Sequence, residues 1–232
     1  MFFPNILTCS VAVLGLGYVG LPLALEFAKK GKCNLSGKNL SRLIIGFDLN
    51  SKRIKELKKG IDHTNETNRF DLENTDVIFT DEESKLKLAE IFIVTVPTPI
   101  DSEKKPDLTY LKKASIMIGR TLKNKLIKVK PIIIFESTVF PGATEEICAP
   151  LIEKFSGLKH LEDFYCAYSP ERINPGDHQR RLKDIVKVTS GSSAECAEWV
   201  DKFYGSIINA GTYKAHSIKV AEAAKVIENT QR

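Results

Sequence analysis

The chain has 232 residues, 43% of them hydrophobic and 27% charged, enough to build a sizeable core without disulfides or metal. Its 34 Lys and Arg against 29 Asp and Glu leave a net charge of +5, too small and too dispersed for the basic stripe of a nucleic-acid partner. No apolar run approaches the ~18 residues of a membrane span, and the start lacks a signal-peptide pattern. Five scattered cysteines without a CxxC pair predict reduced thiols in a cytoplasmic protein. Four isolated histidines predict no metal site.

In chain order, residues 11–14 predict a strand that runs into glycines, and 19–30 a helix with Leu21, Leu25 and Ala28 on one face. A polar insert at 32–39, expected to be an exposed loop, precedes a strand at 43–47 and a helix at 51–59 opened by an Asn50 or Ser51 cap. Strands follow at 77–79 and 91–94, then a helix at 108–122. The lysines between 112 and 130 read as a solvated face. A buried strand at 132–135, a helix at 144–155, strands at 164–168 and 185–188 and a helix at 194–203 come next. The last stretch, 215–232, is an Ala-rich helix without a stop signal, which predicts a truncated chain with a frayed end.

Strands alternating with helices, and strands apolar throughout, predict an α/β fold: a doubly wound, mostly parallel sheet covered on both faces. The division expected is a domain over 1–210 and, over 211–232, the start of a long central helix.

Gly15-Leu16-Gly17-Tyr18-Val19-Gly20 is G-x-G-x-x-G between a predicted strand and helix. That context marks a Rossmann-like dinucleotide site: a tight turn, an open backbone for a pyrophosphate and a close helix–strand contact. Asp48 ends the second strand, 28 residues after Gly20, and the polar insert accounts for the excess over the usual ~20. A carboxylate there accepts from ribose hydroxyls and repels a 2′-phosphate, so NAD is expected over NADP. Three polar loops follow the fourth, fifth and sixth strands: Val96-Pro97-Thr98-Pro99, Glu136-Ser137-Thr138, and Ser169-Pro170-Glu171 with the residues after it. All three belong at the carboxyl edge of the sheet, where ligands bind. Lys225 and Asn229 share a face of the terminal helix at i and i+4, though pattern alone favours an ordinary solvated lysine.

Read together, GLGYVGLP, GFDLNSKRI, VPTP, ESTVFPGATEE, YSPERINPGD and KVAEAAKVIENTQR resemble the UDP-glucose/GDP-mannose dehydrogenase family. The wording of STVFPG and ERINPGD is most similar to the Vi-polysaccharide branch, which acts on UDP-N-acetylhexosamines. The resemblance implies an NAD-dependent oxidoreductase of nucleotide-sugar metabolism and surface-polysaccharide biosynthesis. Its substrate is a UDP-sugar such as UDP-GlcNAc or UDP-GalNAc, whose C6 alcohol is oxidised to a carboxylate by two NAD+. UDP-glucose and UDP-ManNAc are the alternative substrates, and a non-catalytic dinucleotide-binding module is the alternative of another class. Carried over by position, Thr138, Glu171, Lys225 and Asn229 match active-site residues. Gly15, Leu16, Gly17, Tyr18, Val19, Gly20, Asp48, Arg53, Val96, Pro97, Thr98 and Thr138 match cofactor positions. The second glutamate some members carry after the first is absent, since this chain reads Ile173-Asn174-Pro175. The family's nucleophilic cysteine lies downstream of these motifs, and Cys166, mid-strand and apolar, reads as core. Without that downstream cysteine and the UDP-binding domain that follows it in the family, the chain by itself is expected to be inactive. Relatives of this kind form homodimers through the central helix, so the resemblance implies a homodimer for the complete protein.

Overall fold

The computed structural model describes residues 2–99, 106–123, 125–126, 128–171 and 182–230, without the side chains of 229 and 230. Six strands, β1 (Ser10–Leu14), β2 (Leu43–Phe47), β3 (Ile78–Thr80), β4 (Ile91–Val94), β5 (Ile132–Phe135) and β6 (Tyr165–Tyr168), form one parallel sheet in the order 3-2-1-4-5-6. Successive side chains on a strand point to opposite faces, and both faces are buried. Val11, Val13, Ile44, Ile91, Ile93 and Ile134 join one core with Leu21, Leu25, Phe27, Trp199 and Phe203. Ala12, Leu14, Ile45, Phe92, Val94 and Phe135 join the other with Leu111, Ile118 and Ile152. The two cores are the two layers of a doubly wound fold.

The helices that cover those faces are α1 (Gly20–Ala28), α2 (Ser51–Leu57), α3 (Arg69–Glu73), α4 (Thr109–Lys123), α5 (Ala149–Ser156), α6 (Ala194–Gly205) and α7 (Ile218–Thr230). Asn50 caps α2, its side chain accepting from the backbone N–H groups of Lys52 and Arg53. The helix expected over 144–155 instead opens as a π-helical segment, Ala143–Cys148, before α5.

Three expectations change. The run at 185–188 does not extend the main sheet: β7 (Lys187–Thr189) pairs in parallel with β8 (Thr212–Lys214) as a separate two-stranded ribbon. The insert at 32–39 is not all exposed, because Cys33 is buried and the backbone N–H of Asn34 bonds the carbonyl of Ser206. The terminal helix is anchored rather than frayed along its first half. Ile218, Ala221, Glu222 and Lys225 are buried there.

Candidate functional site

Connections leave β1 and β4 toward opposite sides, and between them the carboxyl edge of the sheet opens into a cleft of about 900 Å³. The glycine turn forms one wall. Gly15 has φ of +96°, which L side chains rarely adopt, and an added Cβ would sit 3.1 Å from the carbonyl oxygen of Thr95. At Gly20 a Cβ would fall 1.9 Å from the Gly15 carbonyl oxygen, so only glycine lets α1 seat on the turn. Gly17 differs. A Cβ there would meet nothing within 4 Å, and the residue lines the cleft. The fold does not require that glycine, whereas a pyrophosphate lying against the turn does.

Tyr18 and Val19 line the cleft beside Gly17, at the N-terminus of α1, where helices leave first-turn N–H groups without intrahelical acceptors. Leu16 lies behind the turn instead: its side chain is core, its N–H donates to Asp48 Oδ2 at 2.8 Å and its carbonyl accepts from Arg53 Nε at 3.0 Å. Arg53 is buried, pairs with Asp62 at 2.7 Å and does not line the cleft. The structure therefore gives it the place of a brace behind the glycine turn. Asp48 does line the cleft, fixed by the Leu16 N–H on one oxygen and by the Asn50 N–H at 2.9 Å on the other. Each carboxylate oxygen keeps acceptor capacity for a ribose diol.

The loops after β4 and β5 are stitched together. Ser137 Oγ donates to the Val96 carbonyl at 2.6 Å, and Thr98 Oγ1 donates to the Thr138 carbonyl at 2.7 Å. Thr98 thus ties the loops, with its hydroxyl lone pairs left to accept, and Val96, Pro97 and Pro99 line the cleft beside it. Thr138, Glu171 and Lys225 line the same cleft as Gly17. Lys225 is buried, against the solvated reading of its pattern, and its Nζ donates to the carbonyl of Glu171. Asn229 lies on α7, one turn beyond Lys225, with its side chain outside the described residues.

Beneath Glu171 is a charge cluster that the sequence did not reveal. Lys187 Nζ sits 2.7 Å from Glu136 Oε2 and 3.1 Å from Glu171 Oε2, and all three side chains are buried. The Tyr204 hydroxyl donates to the other Glu136 oxygen. Burial pushes the Glu136 carboxyl up to about 7 against the pull of Lys187. Burial also opposes charge on Lys187, yet the two carboxylates overcome it and hold its pKa above the ordinary lysine value. Two carboxylates compete for one buried cation, so the cation stays charged and one carboxylate takes its proton early. The signal in the sequence was a lone lysine inside an apolar strand. Tyr204 had none.

Tyr110, Lys113, Ala114 and Met117 of α4 also line the cleft, so one of the lysines assigned to the solvated face borders the site. No cysteine is among the described lining residues. All five are free and buried, and Cys166 has its thiol pushed well above the ordinary value by burial. Among the described residues no helix is long and apolar enough to cross a membrane.

Residues 9–208 match the model of the UDP-glucose/GDP-mannose dehydrogenase family, NAD binding domain. The chain is 58% identical to a UDP-N-acetyl-D-glucosamine 6-dehydrogenase of Pseudomonas aeruginosa and 53% identical to one of Salmonella typhi, covering 96% of this chain and 49% of each relative. It thus spans about half the length of the curated relatives it matches. The solved structure of a UDP-D-ManNAc dehydrogenase from Pyrococcus horikoshii superposes with a TM-score of 0.79 at 34% identity, over 96% of this chain and 50% of that one.

Proposed function

The chain belongs to the UDP-glucose/GDP-mannose dehydrogenase family, and from that premise we propose that it is the NAD-binding part of a UDP-N-acetylhexosamine 6-dehydrogenase. The observation that carries the reading is the convergence of Gly17, Asp48, Thr98, Thr138, Glu171 and Lys225 on one cleft from six separate segments. The 58% and 53% identities to UDP-N-acetyl-D-glucosamine 6-dehydrogenases favour an N-acetylhexosamine over glucose. NAD+, when bound, supplies the hydride acceptor. Asp48 takes the adenosine ribose, the turn at Gly17 takes the pyrophosphate, and the polar loops after β4, β5 and β6 border the nicotinamide end. Glu171 serves there as the base for the C6 hydroxyl proton. Lys225 stabilises the alkoxide as that proton leaves, and Thr138 orients the water that cleaves the C6 thioester carried on the complete protein's cysteine, releasing the carboxylate and the thiol.

We read 1–210 as the NAD-binding domain and 211–232 as the start of the central helix. Exposed Val220, Val226 and Ile227 on α7 support a homodimer contact through that helix in the complete protein. Five free thiols support a cytoplasmic setting. The cleft's lack of a cysteine favours a second reading, in which this chain alone binds the dinucleotide without completing the oxidation. Calorimetric titration with NAD+ and NADP+ tests the cofactor assignment. Tighter binding of NAD+ is expected, with the gap narrowed in Asp48→Ala. Equal affinities in the unmutated chain sink the assignment.

A further inference from the structure

Glu136 lines the cleft yet matches none of the positions to which a role in binding or catalysis has been given. It is fully buried apart from that face, and its two oxygens are held from different elements, by Lys187 of β7 and Tyr204 of α6. Lys187 spans to Glu171 and fastens the two carboxylates side by side. We propose that Glu136, held with Glu171 on Lys187, is a second carboxylate of the active cleft that positions Glu171 and biases the site toward the oxidised, cationic nicotinamide.

The inference rests on the dehydrogenase reading above. Glu136 follows β5, whose edge borders the nicotinamide end when the adenosine sits over β2. The titratable groups that act on it are Lys187, Glu171, Tyr204 and Tyr168 from β6, and Lys225 of α7 lines the same cleft. Ionising Glu136 therefore adds one unit of negative charge to this set of groups. A negative charge there attracts the cationic ring and is indifferent to the neutral reduced one. The difference between the two nicotinamides is therefore what Glu136 controls.

The test is the ratio of NAD+ to NADH affinity, measured by calorimetry on this chain. Glu136→Gln keeps the shape and removes the charge, and is expected to lower the ratio about fivefold above neutrality, the scale one unit charge exerts across a partly hydrated cleft. In the unmutated chain the ratio is expected to fall by the same factor as the pH drops from about 8 to about 6 and Glu136 takes its proton. Tyr204→Phe removes one hydrogen bond to the carboxylate and moves the midpoint of that fall upward. A ratio unchanged in Glu136→Gln and flat with pH overturns the inference while leaving dinucleotide binding intact. Should the glutamine variant fail to fold, an unmoved midpoint in Tyr204→Phe overturns it equally. Binding of neither nucleotide by the unmutated chain overturns the underlying dehydrogenase reading instead.

Discussion

The three glycines of the turn separate a requirement of folding from a requirement of binding. Gly20→Ala drives a methyl group into the Gly15 carbonyl at 1.9 Å, so α1 must lift from the sheet. Its expected cost is about 1–3 kcal/mol of stability, the range for overpacking, and dinucleotide binding goes with it. Gly17→Val adds its side chain to open space, so denaturant unfolding should shift by no more than about 1 kcal/mol while NAD+ binding is lost. If Gly17→Val binds NAD+ as the unmutated chain does, the pyrophosphate does not lie on this turn. Glu136 has a signature in stability as well. Its carboxyl titrates near 7 in the folded chain, against 4.5 for an ordinary glutamate, so the folded state binds more protons between those values. Its contribution is fully present below about 4.5 and is lost as the pH rises toward 7, by up to about 3 kcal/mol. Unfolding curves of the unmutated chain and Glu136→Gln across that window should diverge by that slope.

At the scale of elements, α7 shows how a helix with a weak pattern acquires a fixed place. Glu222 is fully buried, and its carboxylate accepts from the backbone N–H of Gly142 at 2.6 Å and of Thr144 at 3.0 Å, at the start of the π-helical segment. That contact satisfies two orphan donors and sets a negative charge at a helix N-terminus. It also seats α7 so that Lys225, three residues on, reaches the carbonyl of Glu171. Glu222→Ala leaves both donors unpaired, and denaturant unfolding is expected to report a loss of about 2–4 kcal/mol. The central strands were legible in the sequence because strands covered on both faces are apolar throughout. The glycine turn and Asp48 were legible because their spacing encodes a shape. β8 was not, being three residues of mostly exposed polar ribbon, and α3 is too short for helical periodicity to register. Lys187 and Lys225 are ordinary lysines until β5 and β6 bring Glu136 and Glu171 beside them. Burial of a charge is decided by partners far apart in sequence, which a pattern along one element does not contain.

For the molecule as a whole, the described residues that line the cleft include no cysteine, and the second oxidation of the proposed reaction needs one. Carrying an aldehyde to an acid through a thioester requires a thiolate within reach of the same carbon. Burial pushes the thiols of Cys9, Cys148 and Cys196 up to about 12, and that of Cys166 well above its ordinary value. Cys33 is the exception: burial raises its pKa, but hydrogen bonds from Ser36 and the backbone and the charge of Arg42 lower it further than burial raises it. Yet Cys33 lies in the connection between α1 and β2, which leaves α1 at the end opposite the glycine turn, and it does not line the cleft. The one thiol disposed to ionise is therefore in the wrong place. We accordingly predict that this chain, supplied with NAD+ and UDP-N-acetylglucosamine, UDP-N-acetylgalactosamine or UDP-glucose, forms no uronic acid. The measurement is NADH release with product analysis, repeated on Cys33→Ser and Cys166→Ser. Sustained release of two NADH per sugar, abolished by either serine substitution, would show that a cysteine of this chain reaches the substrate and that the thiol argument fails.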